Sequence, residues 1–285
     1  MKLDCAGKTL DLSIPRVMGV LNVTPDSFFD GGRFVRFDAA LKRAEAMIQE
    51  GVDIIDVGGE STRPDAKIVS DSEELDRVIP IVEQLVANFD VPVSIDTSKP
   101  AVMRDAVQAG AGMINDVRAL QVPGALEIAA AAPVPICLMH MQGNPRTMQQ
   151  APHYEDVVDE VSRFLSERIV ACENAGIPKQ RLLIDPGFGF GKSLEHNLAL
   201  LGKLNDLIAL DVPLLVGISR KSMLGTILAQ RRNQHKMVMV QDRLFASVGA
   251  AVVAAMHGAR IIRVHDVRET VEALAPFSSI LQGTT

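Results

Sequence analysis

Hydrogen-bonding and charged residues recur along this chain at the ends of short apolar runs: Asn22, Asp56, Asp96, Asn115, His140, Asp185, Ser219 with Lys221, and Arg263 with His265. Each alone has a plain reading, since an Asp or Asn at a strand end can cap the helix that follows. As a set they describe a polar mouth over an apolar interior, which is a ligand site. Asp96, Asn115 and Asp185 bring carboxylate and amide groups with no nucleophile among them. That suits a flat heterocycle with amino and lactam groups, because a carboxylate accepts two parallel N–H bonds from such an edge and an asparagine both donates and accepts. A buried structural network is the alternative use of the same three residues. Residues two apart on a strand face the same way, so Arg263 and His265 point together, and Ser219 and Lys221 do so if their strand continues that far. Two cationic pairs on neighbouring strands read as an anion site; the alternative for Arg263 and His265 is a structural ion pair with Asp266 or a neighbour.

Two loops carry further polar groups. Residues 22–32 read Asn-Val-Thr-Pro-Asp-Ser-Phe-Phe-Asp-Gly-Gly and residues 58–66 read Gly-Gly-Glu-Ser-Thr-Arg-Pro-Asp-Ala, both shaped by Gly and Pro and both suited to cover a site. Two other motifs fail. Residues 187–193, Gly-Phe-Gly-Phe-Gly-Lys-Ser, resemble a phosphate-binding loop, but the first required Gly is Pro186. Gly217-Ile218-Ser219-Arg220-Lys221 begins like a nucleophile elbow and lacks its closing Gly. His140, between Met139 and Met141, reads as a packed core histidine rather than a ligand.

The elements that must position these groups follow from an alternation of short Val-, Ile- and Leu-rich runs with longer amphipathic segments. The runs are residues 17–24, 53–59, 91–97, 113–119, 134–141, 182–188, 213–219 and 260–266. Helical spacing marks 38–50, 73–88, 155–175 and 269–277, with acidic or hydroxyl starts and one Ala-Gly end. Runs that are apolar throughout suit strands covered on both faces, hence a parallel sheet. Eight βα units in 285 residues favour a closed (β/α)8 TIM barrel over an open doubly wound sheet. In such a barrel the reactive groups lie at the carboxyl ends of the strands, with phosphate commonly near the last two. Residues 1–15 read as a short N-terminal lead-in, possibly a hairpin through Ala6-Gly7, and 1–285 as one α/β domain.

A formal charge of -6 and a pI near 5.6 argue against a general nucleic-acid or membrane-surface binder, so any anionic substrate must be held by local cations. Cys5, Cys137 and Cys172 are scattered and read as reduced, packed thiols. With no apolar signal core at the N-terminus, and 246–256 too short to span a bilayer, a cytoplasmic protein is expected.

Several stretches together carry a family resemblance: Leu21-Asn22-Val23-Thr24-Pro25-Asp26-Ser27-Phe28, Asp56-Val57-Gly58-Gly59-Glu60-Ser61-Thr62-Arg63-Pro64, Ser94-Ile95-Asp96-Thr97 and Ile114-Asn115-Asp116, then Asp185-Pro186-Gly187-Phe188-Gly189-Phe190, Ser219-Arg220-Lys221-Ser222 and Arg263-Val264-His265-Asp266. From residue 17 to residue 274 the chain resembles the dihydropteroate synthases, pterin-binding transferases of folate biosynthesis. The resemblance implies that Asp96, Asn115, Asp185, Lys221 and Arg263 hold the pterin, with Asp96, Lys221 and Arg263 in the catalytic set. It implies that Asn22, Thr62, Arg63, Arg263 and His265 receive the diphosphate, with Mg²⁺ between Asn22 and the phosphate oxygens. It places 4-aminobenzoate near Phe28, Thr62, Pro64, Phe190 and Ser219, and it implies a homodimer. The chain departs from the family pattern at Asp65, where Gly is common, and at Phe29, where Ser is common, which bears on affinity for 4-aminobenzoate and its sulfonamide mimics. Two other readings compete: a pterin-using methyltransferase barrel, which has less need of Arg63, Arg263 and His265, and a non-catalytic pterin-binding paralogue.

Overall fold

The computed structural model describes residues 1–24, 33–61, 69–144 and 147–283. It opens with an antiparallel hairpin of β1 (Lys2–Cys5) and β2 (Lys8–Asp11). The expected turn is there: Ala6 and Gly7 both take positive φ, 55° and 84°, as a two-residue hairpin turn requires.

Eight parallel strands follow, β3 (Arg16–Asn22), β4 (Ile54–Gly58), β5 (Val93–Asp96), β6 (Met113–Asp116), β7 (Ile136–Met139), β8 (Leu182–Asp185), β9 (Leu214–Val216) and β10 (Ala259–Val264). They close in the order β10-β3-β4-β5-β6-β7-β8-β9, so the closed barrel stands and the open sheet does not. Around them lie α1 (Arg33–Gln49), α2 (Asp71–Asn88), α3 (Pro100–Gln108), α4 (Ala125–Ala131), α5 (Val157–Asn174), α6 (Leu194–Gly202), α7 (Ser222–Arg231), α8 (Leu244–Met256) and α9 (Val267–Gln282). The start of α2 is fixed by a capping box between Ser70 and Glu73, and that of α5 by the Asp156 side chain accepting from Val158 N and Asp159 N.

Alternation along the strands explains both apolar layers. Outward residues such as Val17, Ile55, Val57, Ile95, Ile136, Ile184 and Ile262 join the helices in one core. Inward residues Met18, Ile54, Met113, Cys137, Leu183, Leu215 and Ile261 form a second cluster, completed by Leu3, Cys5, Leu10 and Leu12 of the hairpin segment. The hairpin therefore plugs the amino-terminal end of the barrel. It packs so closely that a Cβ on Gly112 would come within 2.6 Å of the Cys5 carbonyl oxygen. All three cysteines are buried free thiols. Among the described residues no helix is long and apolar enough to cross a membrane.

All eight barrel strands are shorter at their carboxyl ends than the apolar runs suggest, and β6 shows why. The run 113–119 stops at Asp116, whose carboxylate accepts from Arg118 N at 2.8 Å, Leu120 N at 2.7 Å and the Ser98 hydroxyl. Asp116 ends the strand by capping a tight turn, while Asn115 beside it points to the mouth.

Candidate active site

At the carboxyl end of the barrel the register builds a polar row. Cα partners run from Asn22 to Gly58, from Gly58 to Asp96 and from Asp96 to Asn115. Partnered residues on parallel strands face the same side, so Asn22, Asp96 and Asn115 share the mouth, and Gly58 leaves the space between them open. A Cβ on Gly58 would lie 3.5 Å from Asn22 Oδ1 and 3.7 Å from Asp96 Oδ2.

Across the barrel, Asp185 closes β8. Its Oδ1 accepts from Gly187 N at 2.7 Å, and its Oδ2 faces the bare Cα of Gly217, where a Cβ would meet it at 4.0 Å and the Arg263 side chain at 3.9 Å. Arg263 rises from β10 and reaches two carboxylates, donating Nε to Asp56 Oδ2 and Nη2 to Asp96 Oδ2, both at 2.6 Å. It is therefore bound to the acids of the site rather than to Asp266. Asp266 is taken by Arg220 in a two-pronged ion pair, so the arginine between Ser219 and Lys221 turns away from the mouth.

The expected shared face of Ser219 and Lys221 is corrected. β9 ends at Val216, the chain turns with Lys221 N on Ile218 O, and Arg220 adopts φ of 60°, in the left-handed region. That turn is held from three sides: Ser247 Oγ accepts from Arg220 N, Arg243 donates to Arg220 O, and Asp266 takes the guanidinium. The two side chains consequently part. Ser219 Oγ lies 3.1 Å from His265 Nδ1, whereas Lys221 Nζ donates to the Phe188 carbonyl and sits 4.5 Å from the Phe190 ring centroid. A cavity of about 400 Å³ opens beside His265, lined also by Val20, Arg43, Arg220 and Asp266.

Burial sets the charge states. It raises the Asp96 carboxyl to about 7, with Arg263 pulling the other way. Asp185 is raised by burial against the opposing charge of Lys221, and Lys221 is lowered by burial to about 8 against Asp185. Burial works against the Arg263 charge as well, yet Asp56 and Asp96 outweigh it and hold the guanidinium above its ordinary value. Among the described residues Asp56, Asp96 and Asp185 are answered by Arg263 and Lys221, with Lys192 acting on Asp185 as well, an acceptor-rich pocket that a ligand edge bearing several N–H groups would satisfy.

The structure brings together Asn22, Asp96, Asn115, Asp185, Lys221 and Arg263 at the barrel mouth, with Phe190 beneath Lys221 and with Ser219 and His265 paired at its edge. Phe28, Thr62, Arg63 and Pro64 lie outside the described residues, as do Phe29 and Asp65. His140 is the core histidine expected: it packs edge-on against Phe164 and, burial first and Lys192 second, is pushed down to about 3, hence neutral.

Two groups escaped sequence reasoning. Lys192, from the failed phosphate loop, is buried and turns inward, with Nζ 2.8 Å from His140 Nδ1 and donating to the Gly187 and Phe190 carbonyls. It braces the loop that carries Phe190. Lys99 joins Glu60 at 2.8 Å to the buried Glu74, and Glu60 Oε1 also accepts from Val69 N at 3.2 Å. That clasp ties the described residues on either side of 62–68; the signal available was only the Lys-Pro at the start of α3.

The family model for pterin binding enzymes matches residues 18–265. The chain is 57% identical over 283 residues to the dihydropteroate synthase of Escherichia coli, covering 99% of this chain and 98% of that one. The chain belongs to the dihydropteroate synthase family. Among solved members of that family, the Xanthomonas albilineans dihydropteroate synthase with 4-aminobenzoic acid superposes with a TM-score of 0.91 at 52% identity, covering 100% of this chain and 99% of that one. The Xanthomonas albilineans synthase in complex with 7,8-dihydropteroate gives 0.89 at 50% identity, with 100% of each chain covered. The family resemblance implies Mg²⁺ at Asn22, and the residues at the mouth can be set against that expectation. Among the described residues no cluster of three His, Cys, Asp or Glu could cage an ion. Asn22 Oδ1 instead offers one hard oxygen at the edge of the open space over Gly58. This fits Mg²⁺, which commonly keeps waters and substrate phosphate oxygens as its other ligands.

Proposed function

We propose that the mouth binds 6-hydroxymethyl-7,8-dihydropterin diphosphate and 4-aminobenzoate and joins them into 7,8-dihydropteroate, releasing diphosphate, as a step of folate biosynthesis. The observation that carries this reading is the convergence of Asp96, Asn115, Asp185, Lys221 and Arg263 at one end of the barrel in a member of the synthase family.

Asp185 Oδ2 and the Asp96 carboxylate accept N–H groups of the pterin edge, Lys221 donates to it, and Arg263 lies along the ring face. Asn22, Thr62, Arg63, Arg263 and His265 receive the diphosphate. Phe28, Thr62, Pro64, Phe190 and Ser219 border the 4-aminobenzoate. The C–O bond to the diphosphate breaks, the aryl nitrogen bonds the pterin methylene, and the amine gives up a proton. Positive charge that gathers on the methylene as the bond loosens is stabilised by ionised Asp96. Asn22, with substrate phosphate oxygens, would hold Mg²⁺, which when bound would supply charge neutralisation to the departing group.

We further infer that the protein works in the cytoplasm as a homodimer. Three free thiols suit a reducing compartment. The apolar helix α8 leaves Phe245 89% and Met256 66% exposed, with Val253 beside them, the kind of face that a second copy would cover.

Incubating the purified chain with both substrates and Mg²⁺ tests the reading. Dihydropteroate by mass, matched mole for mole by diphosphate, is expected, with diphosphate binding weakened when Mg²⁺ is withdrawn. Binding of both substrates without product would identify a non-catalytic relative.

A further inference from the structure

Asp56 is the buried carboxylate of the mouth that the reading above leaves without a task. It lies on β4, two residues below the polar row, with Val20 and Ser94 as its Cα partners, and it is fully buried. Its Oδ2 accepts both Arg263 Nε at 2.6 Å and Asn115 Nδ2 at 3.1 Å, while its Oδ1 is buried with no partner among the described residues. A buried carboxylate that uses only one of its oxygens is a poor stabiliser of a fold, so its place calls for another reason.

That reason is the orientation of an amide. A carboxylate oxygen can only accept, so the end of Asn115 turned toward Asp56 is the NH₂, and the carbonyl is turned away. Among the described residues Asn115 Oδ1 has no partner, which leaves it for a ligand. Had Asn115 been free to rotate, the pocket would offer donor or acceptor with equal ease.

We propose that Asp56 is a positioning residue that sets the ring selectivity of the site: by holding the Asn115 N–H it presents the Asn115 carbonyl, and the heterocycle must answer with a ring N–H. The inference rests on the pterin reading. A 7,8-dihydropterin carries a ring N–H that the fully oxidised ring replaces with an acceptor nitrogen, so the reduced ring pairs with the carbonyl and the oxidised ring sets two acceptors against each other.

Calorimetric affinities for 6-hydroxymethyl-7,8-dihydropterin and its oxidised counterpart test it. The wild-type chain is expected to prefer the reduced ring by about tenfold or more. In Asp56→Ala nothing holds the Asn115 amide, and the preference is expected to fall to about twofold or less. In Asp56→Asn the amide oxygen has to meet Arg263 Nε, and because the same oxygen accepts from Asn115 Nδ2 the preference is expected to persist. A role confined to bracing Arg263 predicts instead that both variants weaken the two rings alike and leave their ratio unchanged. Equal wild-type affinities, an unchanged ratio in Asp56→Ala, or a ratio lost in Asp56→Asn each overturn the proposal. Should Asp56→Ala fail to fold, the wild-type ratio and Asp56→Asn still decide. A wild-type chain that binds neither ring removes the pterin reading itself, and this inference with it.

Discussion

Asp96 and Lys221 change charge close to neutrality because burial moves them toward each other, the carboxyl up to about 7 and the ammonium down to about 8. Accepting a pterin N–H requires Asp96 ionised, a state gained as pH rises through its folded value. Donating to the ring requires Lys221 charged, a state lost as pH rises through its own. The kcat/KM for the pterin diphosphate is therefore expected to follow a bell with limbs near those two values, read from initial rates at low substrate. A flat profile from about pH 6 to about pH 9 would remove these two groups from the binding step. Arg263 links the acids, and Asp96 is the carboxylate proposed to stabilise the developing positive charge. Asp96→Asn and Arg263→Ala are each expected to cost on the order of 10²-fold or more in turnover while the circular dichroism spectrum stays that of the folded chain. Near-wild-type turnover of both would show that the mouth chemistry lies elsewhere.

At the scale of elements, the barrel divides labour between its two ends. The hairpin of β1 and β2 closes the amino-terminal end with Leu3, Cys5, Leu10 and Leu12, far from the polar row. Leu10→Ala is expected to lower stability by about 2–5 kcal/mol in denaturant unfolding while leaving kcat unchanged well below the new melting temperature. A loss of turnover in step with stability would mean that the plug also shapes the mouth. The strands could be located from sequence because both of their faces are buried, which sets apolar residues side by side, as in Ile54-Ile55 and Leu182-Leu183-Ile184. Their ends could not, because Asp116 stops a strand by hydrogen-bonding its own turn and Asn115 does not, a difference invisible in residue type. The same limit hid the divergence of Ser219 and Lys221, which depends on Ser247, Arg243 and Asp266 clasping Arg220. Asp56 stood in the list of strand-end acids, yet its partners lie 59 and 207 residues away along the chain, and only closure of the barrel brings them to it. Lys192 was read as part of a failed phosphate motif because nothing in its local spacing tells an inward lysine from an outward one.

At the scale of the whole molecule, the apolar outer face of α8 and the polar mouth make separate demands. Phe245→Glu is expected to convert a dimer to a monomer in sedimentation equilibrium, since it places a charge on the most exposed large apolar residue of that face. A wild-type chain that sediments as a monomer would remove the homodimer. The mouth makes the larger claim, that residues from four strands and the turn after β9 grip one heterocycle. A crystal structure with 6-hydroxymethyl-7,8-dihydropterin bound tests it most directly. The ring is expected at the carboxyl rim, within hydrogen-bonding distance of Asp96, Asn115 and Asp185 and against Arg263. Ring density in a different cavity, of about 290 Å³ between α1 and α2 beside Val23, Phe37 and Ile81, with the rim left to solvent, would contradict the account.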